Sequence, residues 1–520
     1  MILSALILIP FVGGLLCLLS ERLGAGIPRW VALISMSIVL AMGVSLWLSG
    51  DYSGATATTA VSGLHWQLEE QYPWIPLLGV SIHFGLDGLS LVMVLLTGLL
   101  GVMAVGCSWK EITKSTGAFH MNLLWSLAGV MGVFLALDMM LFFFFWEMML
   151  IPVYFLIALW GHSQHNEAVR VRAATKFFIF TQVGGLVMLV GILALVLVNY
   201  KATHQISFDY ETLLSAHKYM SAELQFGLML CFFVGFAVKL PIVPVHSWLP
   251  DAHAEAPTAG SVDLAGILLK TAGYGMLRFT LPFFPEASQE FASFAMVLGL
   301  VGIFYGAFLA FVQTDIKRLI AYTSISHMGF VLIGIYSGNL LTLQGLAIQM
   351  LAHGVCAGGL FILSGQLYER LGTRDMREMG GLWARLNYLP ALLMFFAAAL
   401  LGIPGTANFI GEFLILLGAF KVAPVITIIA TASLVLAGVY SLILIHRTLF
   451  GQSKSDRPLA DLSLREMSLV VSLAVILLAV GFYPQPLLNV SVDAMTFIQQ
   501  TYAPVGVSVP LIPASSIVAP

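Results

Sequence analysis

The sequence is short of charge. Only 9% of its 520 residues are Asp, Glu, Lys or Arg, against roughly 25% in a typical globular chain, and this excludes an ordinary soluble enzyme surface. It is also short of cysteine. The four cysteines (Cys17, Cys107, Cys231 and Cys356) stand singly in apolar runs with no CxxC pair. Iron–sulfur clusters and structural zinc need clustered ligands, so neither is expected, and small core residues is the better reading. No GxGxxG follows a strand and no GxxxxGK[ST] occurs, so no nucleotide site is indicated. The chain is therefore expected to hold no cofactor and to carry no electrons itself. The net charge of −3 names no partner, and no nucleic acid is expected among them. The opening MILSALILIPFVGG has neither a basic leader nor an A-x-A cleavage site. It reads as a retained first span, which favours a bacterial inner membrane over an organelle.

What the chain has is apolar length. Hydrophobic residues make up 59% of it, which predicts an all-α polytopic membrane protein in contact with the lipid bilayer. A span needs about 20 mostly apolar residues. Fourteen helices meet that need, near 2–20, 30–49, 88–107, 118–137, 139–160, 175–199, 225–245, 258–281, 290–312, 317–337, 340–367, 388–420 (long and interrupted), 425–447 and 466–488. The uncharged, Pro-containing tail after 503 is not a span. The segment 50–87 lacks Lys and Arg and reads as a loop in which VSIHF alternates like a short strand. The loop from Glu369 to Arg385 is amphiphilic, either touching a neighbour or the membrane surface or serving as a solvated connection.

Cation placement orients the topology. Alternate loops on one side take 17 of the 23 Lys and Arg, the other side takes Lys201, Lys218, Arg278 and Lys421, and the remaining two lie inside spans. The positive-inside rule then puts both termini outside, with Trp30, Trp109, Trp160, Trp248 and Trp383 as anchors near cytoplasmic ends. The seventh helix breaks after Lys239 at PIVP, and the twelfth breaks around IPGTANFIGEF. They lie five helices apart, and an odd offset inverts orientation. Paired broken helices in inverted halves point to a midplane site in a transporter. The expected organisation is an N-terminal block (1–117), a first repeat (118–281), a second repeat (290–447) and a closing segment (448–520).

The residues that carry chemistry are the ionisable ones inside these spans: Glu147, Lys239, Lys270, His327, His353 and Glu412. Glu147 lies about 12 Å into its helix at 1.5 Å per residue. A charge at such depth costs several kcal/mol unless it meets a partner or a wet cavity. The four charged residues balance two against two, so Glu147 is expected within reach of Lys239 or of a neighbouring subunit's cation. Taken singly, each histidine is explained as well by a hydrogen bond to a helix carbonyl, and each charged residue by an ion pair that packs helices. Six such residues in a chain starved of charge are hard to explain by packing. A buried ammonium gives up its proton more readily than an exposed one, and a nearby carboxylate opposes the release. Moving the carboxylate would switch a lysine between holding and releasing a proton.

The stretch VKLPIVPVHSWLPDAHAEAPTAGSV, with DLAGILLKTAGYGMLRF and DIKRLIAYTSISHMGF after it, resembles the proton-translocating, antiporter-like subunits of respiratory complex I and their cation/proton antiporter relatives. The similarity covers roughly 138–413. It implies that Glu147 and Lys239 are a coupling pair, that Lys270 and Glu412 continue a proton path, and that His246 holds a family position between helices seven and eight. Glutamate rather than lysine in the twelfth helix points to the M-type branch, and the lack of a long helix after the fourteenth agrees with it. The implied partners are neighbouring membrane-arm subunits, and the cargo is protons. The competing readings are a subunit of a multisubunit sodium/proton antiporter or membrane-bound hydrogenase, and a spacer that keeps the fold without pumping.

Overall fold

The computed structural model describes residues 1–24, 26–50, 52, 65–162, 167–452 and 458–502. The chain runs back and forth between two faces, here called the near face, which carries Met1, and the far face. Helices α1 (Ile2–Ser20) and α2 (Ile27–Ser49) lead to a hairpin of β1 (Leu68–Ile75) and β2 (Val80–Leu86) on the near face. The strands pair antiparallel, with Tyr72 opposite Ile82, so the strand expected at VSIHF is present together with a partner. Spans α3 (Gly88–Glu111), α4 (Thr116–Leu135), α5 (Met139–Trp160) and α6 (Glu167–Thr203) follow.

Next comes α7 (Ala222–Lys239), which ends at Lys239. After an irregular segment the chain resumes as α8 (Trp248–Glu255). The break follows from Pro241 and Pro244, which lack the amide protons a helix needs there. Helix α9 (258–283) is continuous but contains two wide π-helical turns, Leu264–Leu268 and Met276–Thr280, on either side of Lys270. Then come α10 (Pro285–Val312), α11 (Ile316–Ser337) and α12 (Leu340–Leu371). The second broken helix is α13 (Tyr388–Leu401) with α14 (Ala407–Phe420), followed by α15 (Pro424–Leu449), α16 (Leu464–Phe482) and α17 (Gln485–Tyr502).

Twelve helices among the described residues are long and apolar enough to cross a membrane. Adding α9 and the α13/α14 pair gives the fourteen spans expected. The core sits between α3, α4, α9, α11 and α12. Every residue in the most apolar stretch of α12 is buried, whereas two-thirds of that of α2 and of α16 is not. The outer helices thus present apolar side chains to lipid or to neighbouring chains.

Three expectations change. The last span stops at Phe482, because Pro484 disfavours helical geometry in the residue before it. The chain restarts as α17, an amphipathic helix packed against α12 and α3 at the near face, where Tyr502 donates to the carbonyl of Tyr336 at 3.0 Å. A helix does therefore follow the fourteenth span, though a short one; the tail after 502 lies outside the described residues. Trp248 is no interfacial anchor: it is fully buried, its indole donating to the carbonyl of Val238 at 2.8 Å. In the Glu369–Arg385 loop, Arg374 pairs with Glu255 and Asp315 at 3.1 Å each, which leaves both readings of that loop open. Arg278 belongs to no loop, being wholly buried in α9.

Candidate proton-transfer site

One chain of side chains crosses the core between α9 and α14. Lys270, on the turn between the two π bulges of α9, turns its ammonium back to the carbonyl of Ala265 and bonds Nδ1 of His353 at 2.7 Å. π bulges inside α-helices recur at functional sites because they reset which side chains face inward. His353, on α12, stands 5.5 Å ring to ring from His327 on α11. His327 Nδ1 lies 2.8 Å from Oε1 of Glu412, and its Nε2 lies 3.2 Å from the hydroxyl of Tyr440 on α15. Gln349 of α12 donates to the same Glu412 oxygen at 3.2 Å. Lys270, His327, His353 and Glu412 are all buried, none more than 4% exposed.

The second break sets Glu412 in place. Gly402 ends α13 in the left-handed conformation, φ +79°, and a Cβ on it would come within 3.1 Å of Glu412 Oε2. Glycine is needed here twice over, for the backbone angle and for the space. Helix α14 then restarts toward the near face with Glu412 in its second turn.

Glu147 and Lys239 form a separate group. They sit on α5 and α7 close enough to act on each other electrostatically, but no ion pair joins them. The Lys239 ammonium is placed 3.6 Å from the centre of the Trp146 ring, a cation–π contact that strengthens where water is excluded. Glu147 is only half-buried, with Gln182 of α6 within hydrogen-bonding reach. Gly185 makes room for its carboxylate, since a Cβ there would fall 2.1 Å from Oε1. Neither Lys239 Nζ nor Glu147 Oε1 has a hydrogen-bond partner among the described residues, so each is free to take one. Asp138 fixes the start of α5: its carboxylate caps Met140 and Leu141 and also accepts from Ser81 of the hairpin.

His246 joins neither group. It lies in the irregular segment before α8, edge-on to Tyr305 at 4.8 Å. Sequence reasoning missed two residues the site includes. Tyr440 and Gln349 carry no sequence signal, being common in any helix. His253, which lies in the stretch VKLPIVPVHSWLPDAHAEAPTAGSV, is buried and stacked on Phe361 at 4.7 Å, with neither ring nitrogen bonded. Asp263, buried on α9, accepts from Ser126 at 2.6 Å and meets no member of either group.

A family described as NADH:quinone oxidoreductase/Mrp antiporter, transmembrane, matches residues 136–437, which include all seven of the expected site residues. NADH-quinone oxidoreductase subunit M of Pseudomonas aeruginosa is 62% identical over 501 residues, covering 96% of this chain and 98% of that one. The subunit M of Escherichia coli K12 is 62% identical over 506 residues, with the same coverage. Among solved structures, a chain of respiratory complex I from Thermus thermophilus with bound NADH superposes with a TM-score of 0.84 at 30% identity, covering 97% of this chain and 100% of that one. This multi-pass protein of the bacterial inner membrane belongs to the NADH:quinone oxidoreductase/Mrp antiporter family, among its subunit M members.

Proposed function

We propose that this chain is a membrane-arm subunit of NADH–quinone oxidoreductase that moves protons while electron transfer takes place elsewhere in the complex. The observation that carries the reading is the buried run Lys270–His353–His327–Glu412, in which hydrogen bonds join the outer two pairs and the two imidazoles stand 5.5 Å apart. Glu147 and Lys239 are the coupling pair. When Glu147 approaches Lys239 it holds a proton there; when it withdraws or is neutralised, the proton leaves. Water and Lys270 receive it, the two histidines pass it across the core, and Glu412 hands it to the near side. The near face, which carries Met1 and α17, is periplasmic by the cation count, and 118–281 and 290–447 are the inverted halves that meet at the relay. Neighbouring antiporter-like subunits pack on the apolar outer helices.

The test is NADH-driven proton uptake into inverted vesicles carrying His353→Gln, normalised to assembled complex. Uptake falls steeply if the run is the path. Wild-type uptake overturns the reading.

A further inference from the structure

Lys270 lies on a helix that continues toward the near face, and buried polar side chains lie in that direction. One turn outward is Tyr274, whose hydroxyl bonds the Ser90 hydroxyl at 3.0 Å and donates to the carbonyl of Phe134 at 2.9 Å. Ser90 belongs to the first turn of α3, and its amide donates to Asp87 Oδ1 at 2.9 Å. Asp87 follows directly on the hairpin, whose Glu69 is half exposed on the near face. Two hydroxyls and a carboxylate thus lead from one turn beyond Lys270 toward the near face, on a line that bypasses the histidines and Glu412.

Across that way stands Arg278. It follows Lys270 by two turns, about 12 Å along the axis, is fully buried, and pairs through Nη2 with Asp87. Its guanidinium carbon lies 5.0 Å from the ring centre of Trp66 and 5.5 Å from that of Tyr274. Arginine does not deprotonate in proteins, so it cannot serve as a relay. It is a fixed cation facing anything positive that arrives through Tyr274 and Ser90, as fixed arginines do in pores that must exclude protons. The ammonium of Lys270 faces the other way, toward Ala265.

We propose that Arg278 is an electrostatic barrier that keeps the proton of Lys270 from discharging straight outward along α9, so that it must cross to Glu412. The proposal rests on the relay reading of Lys270, but it makes its own demand: without the cation, the membrane leaks.

The experiment measures passive proton flux through the intact complex in proteoliposomes under an imposed potential, without NADH. Arg278→Gln leaves Asp87 able to take up a proton beside Ser90, and the flux rises several-fold, with pumping reduced to match. Asp87→Asn breaks the same ion pair but keeps the cation, and the vesicles stay tight. Equal leakage in both variants would make the pair a structural clamp and overturn the barrier, as would wild-type tightness in Arg278→Gln. If Arg278→Gln does not assemble, Arg278→His decides, since an imidazole keeps a partner for Asp87 but can release its proton where a guanidinium cannot: a leak that grows as the pH rises supports the barrier, and tightness throughout overturns it. A failed relay reading looks different, namely lost NADH-driven uptake in vesicles that hold an imposed gradient.

Discussion

Nζ of Lys270 and Nδ1 of His353 lie 2.7 Å apart in a hydrogen bond between α9 and α12, with both side chains shut off from solvent. The bond needs a lone pair on one nitrogen and a proton on the other, so the two residues share a proton rather than repel as two cations. Lys270→Arg abolishes this option, because a guanidinium keeps its proton. We expect that variant to assemble and to lose pumping by about an order of magnitude or more, measured as proton uptake in inverted vesicles per assembled complex. Normal pumping by Lys270→Arg means that deprotonation at this position is not required.

We expect Glu147 and Lys239 to act as a unit although no ion pair joins them. Glu147→Gln removes the charge that can hold a proton on Lys239, and Lys239→Ala removes the carrier. Both should lose nearly all coupled pumping with the complex still assembled, whereas Glu147→Asp, which keeps charge at shorter reach, retains part of it. Gly185→Ala is a subtler probe. Its Cβ would lie 2.1 Å from Glu147 Oε1, so the carboxylate must shift, and pumping should fall by about severalfold with no charge altered. Full pumping by an assembled Glu147→Gln complex removes Glu147 from the mechanism.

Glu412 receives from His327 and Gln349, so it closes the run at its near-face end. Glutamine keeps the shape without titrating, and Glu412→Gln should lower pumping strongly while NADH oxidation with an artificial acceptor is untouched. Lysine is the more informative change. If only a titratable group is needed, Glu412→Lys retains much of the activity. If the sign matters, it fails as badly as Gln, since an ammonium would face His327 where a carboxyl group now does. Wild-type pumping by Glu412→Gln would end the exit role.

The hairpin supplies a pH dependence outside the spans. His83 bonds Asp209 at 2.6 Å and Glu69 at 2.7 Å. Burial alone would drive off its proton, but the Asp209 and Glu69 carboxylates outweigh burial and raise its pKa above the ordinary value. A raised folded-state value contributes stability that is complete below about pH 6.5 and is lost as pH rises through the folded value. The thermal midpoint of the wild-type complex should therefore exceed that of His83→Gln most at about pH 6. The gap should narrow on going alkaline. A gap independent of pH would mean that His83 clasps the hairpin in its neutral form.

Hydropathy alone sets fourteen spans, because lipid leaves the backbone no way to satisfy its hydrogen bonds except within helices, and long apolar runs are visible without partners. The breaks at PIVP and IPGT were legible for the same local reason, since proline and glycine act through their own backbone. So were Glu147, Lys239, Lys270, His327, His353 and Glu412, each a costly group in an apolar run. What the sequence could not hold is who meets whom. That Lys270 finds His353, 83 residues away, depends on how α9 and α12 are rotated, and the two π bulges that set this rotation have no residue signature. That Lys239 rests on Trp146 rather than on Glu147, that His246 stands apart, and that Arg278 is buried against Asp87, 191 residues away, are likewise matters of packing. Burial depth in a membrane chain is decided by neighbours in space, and those only the tertiary fold provides.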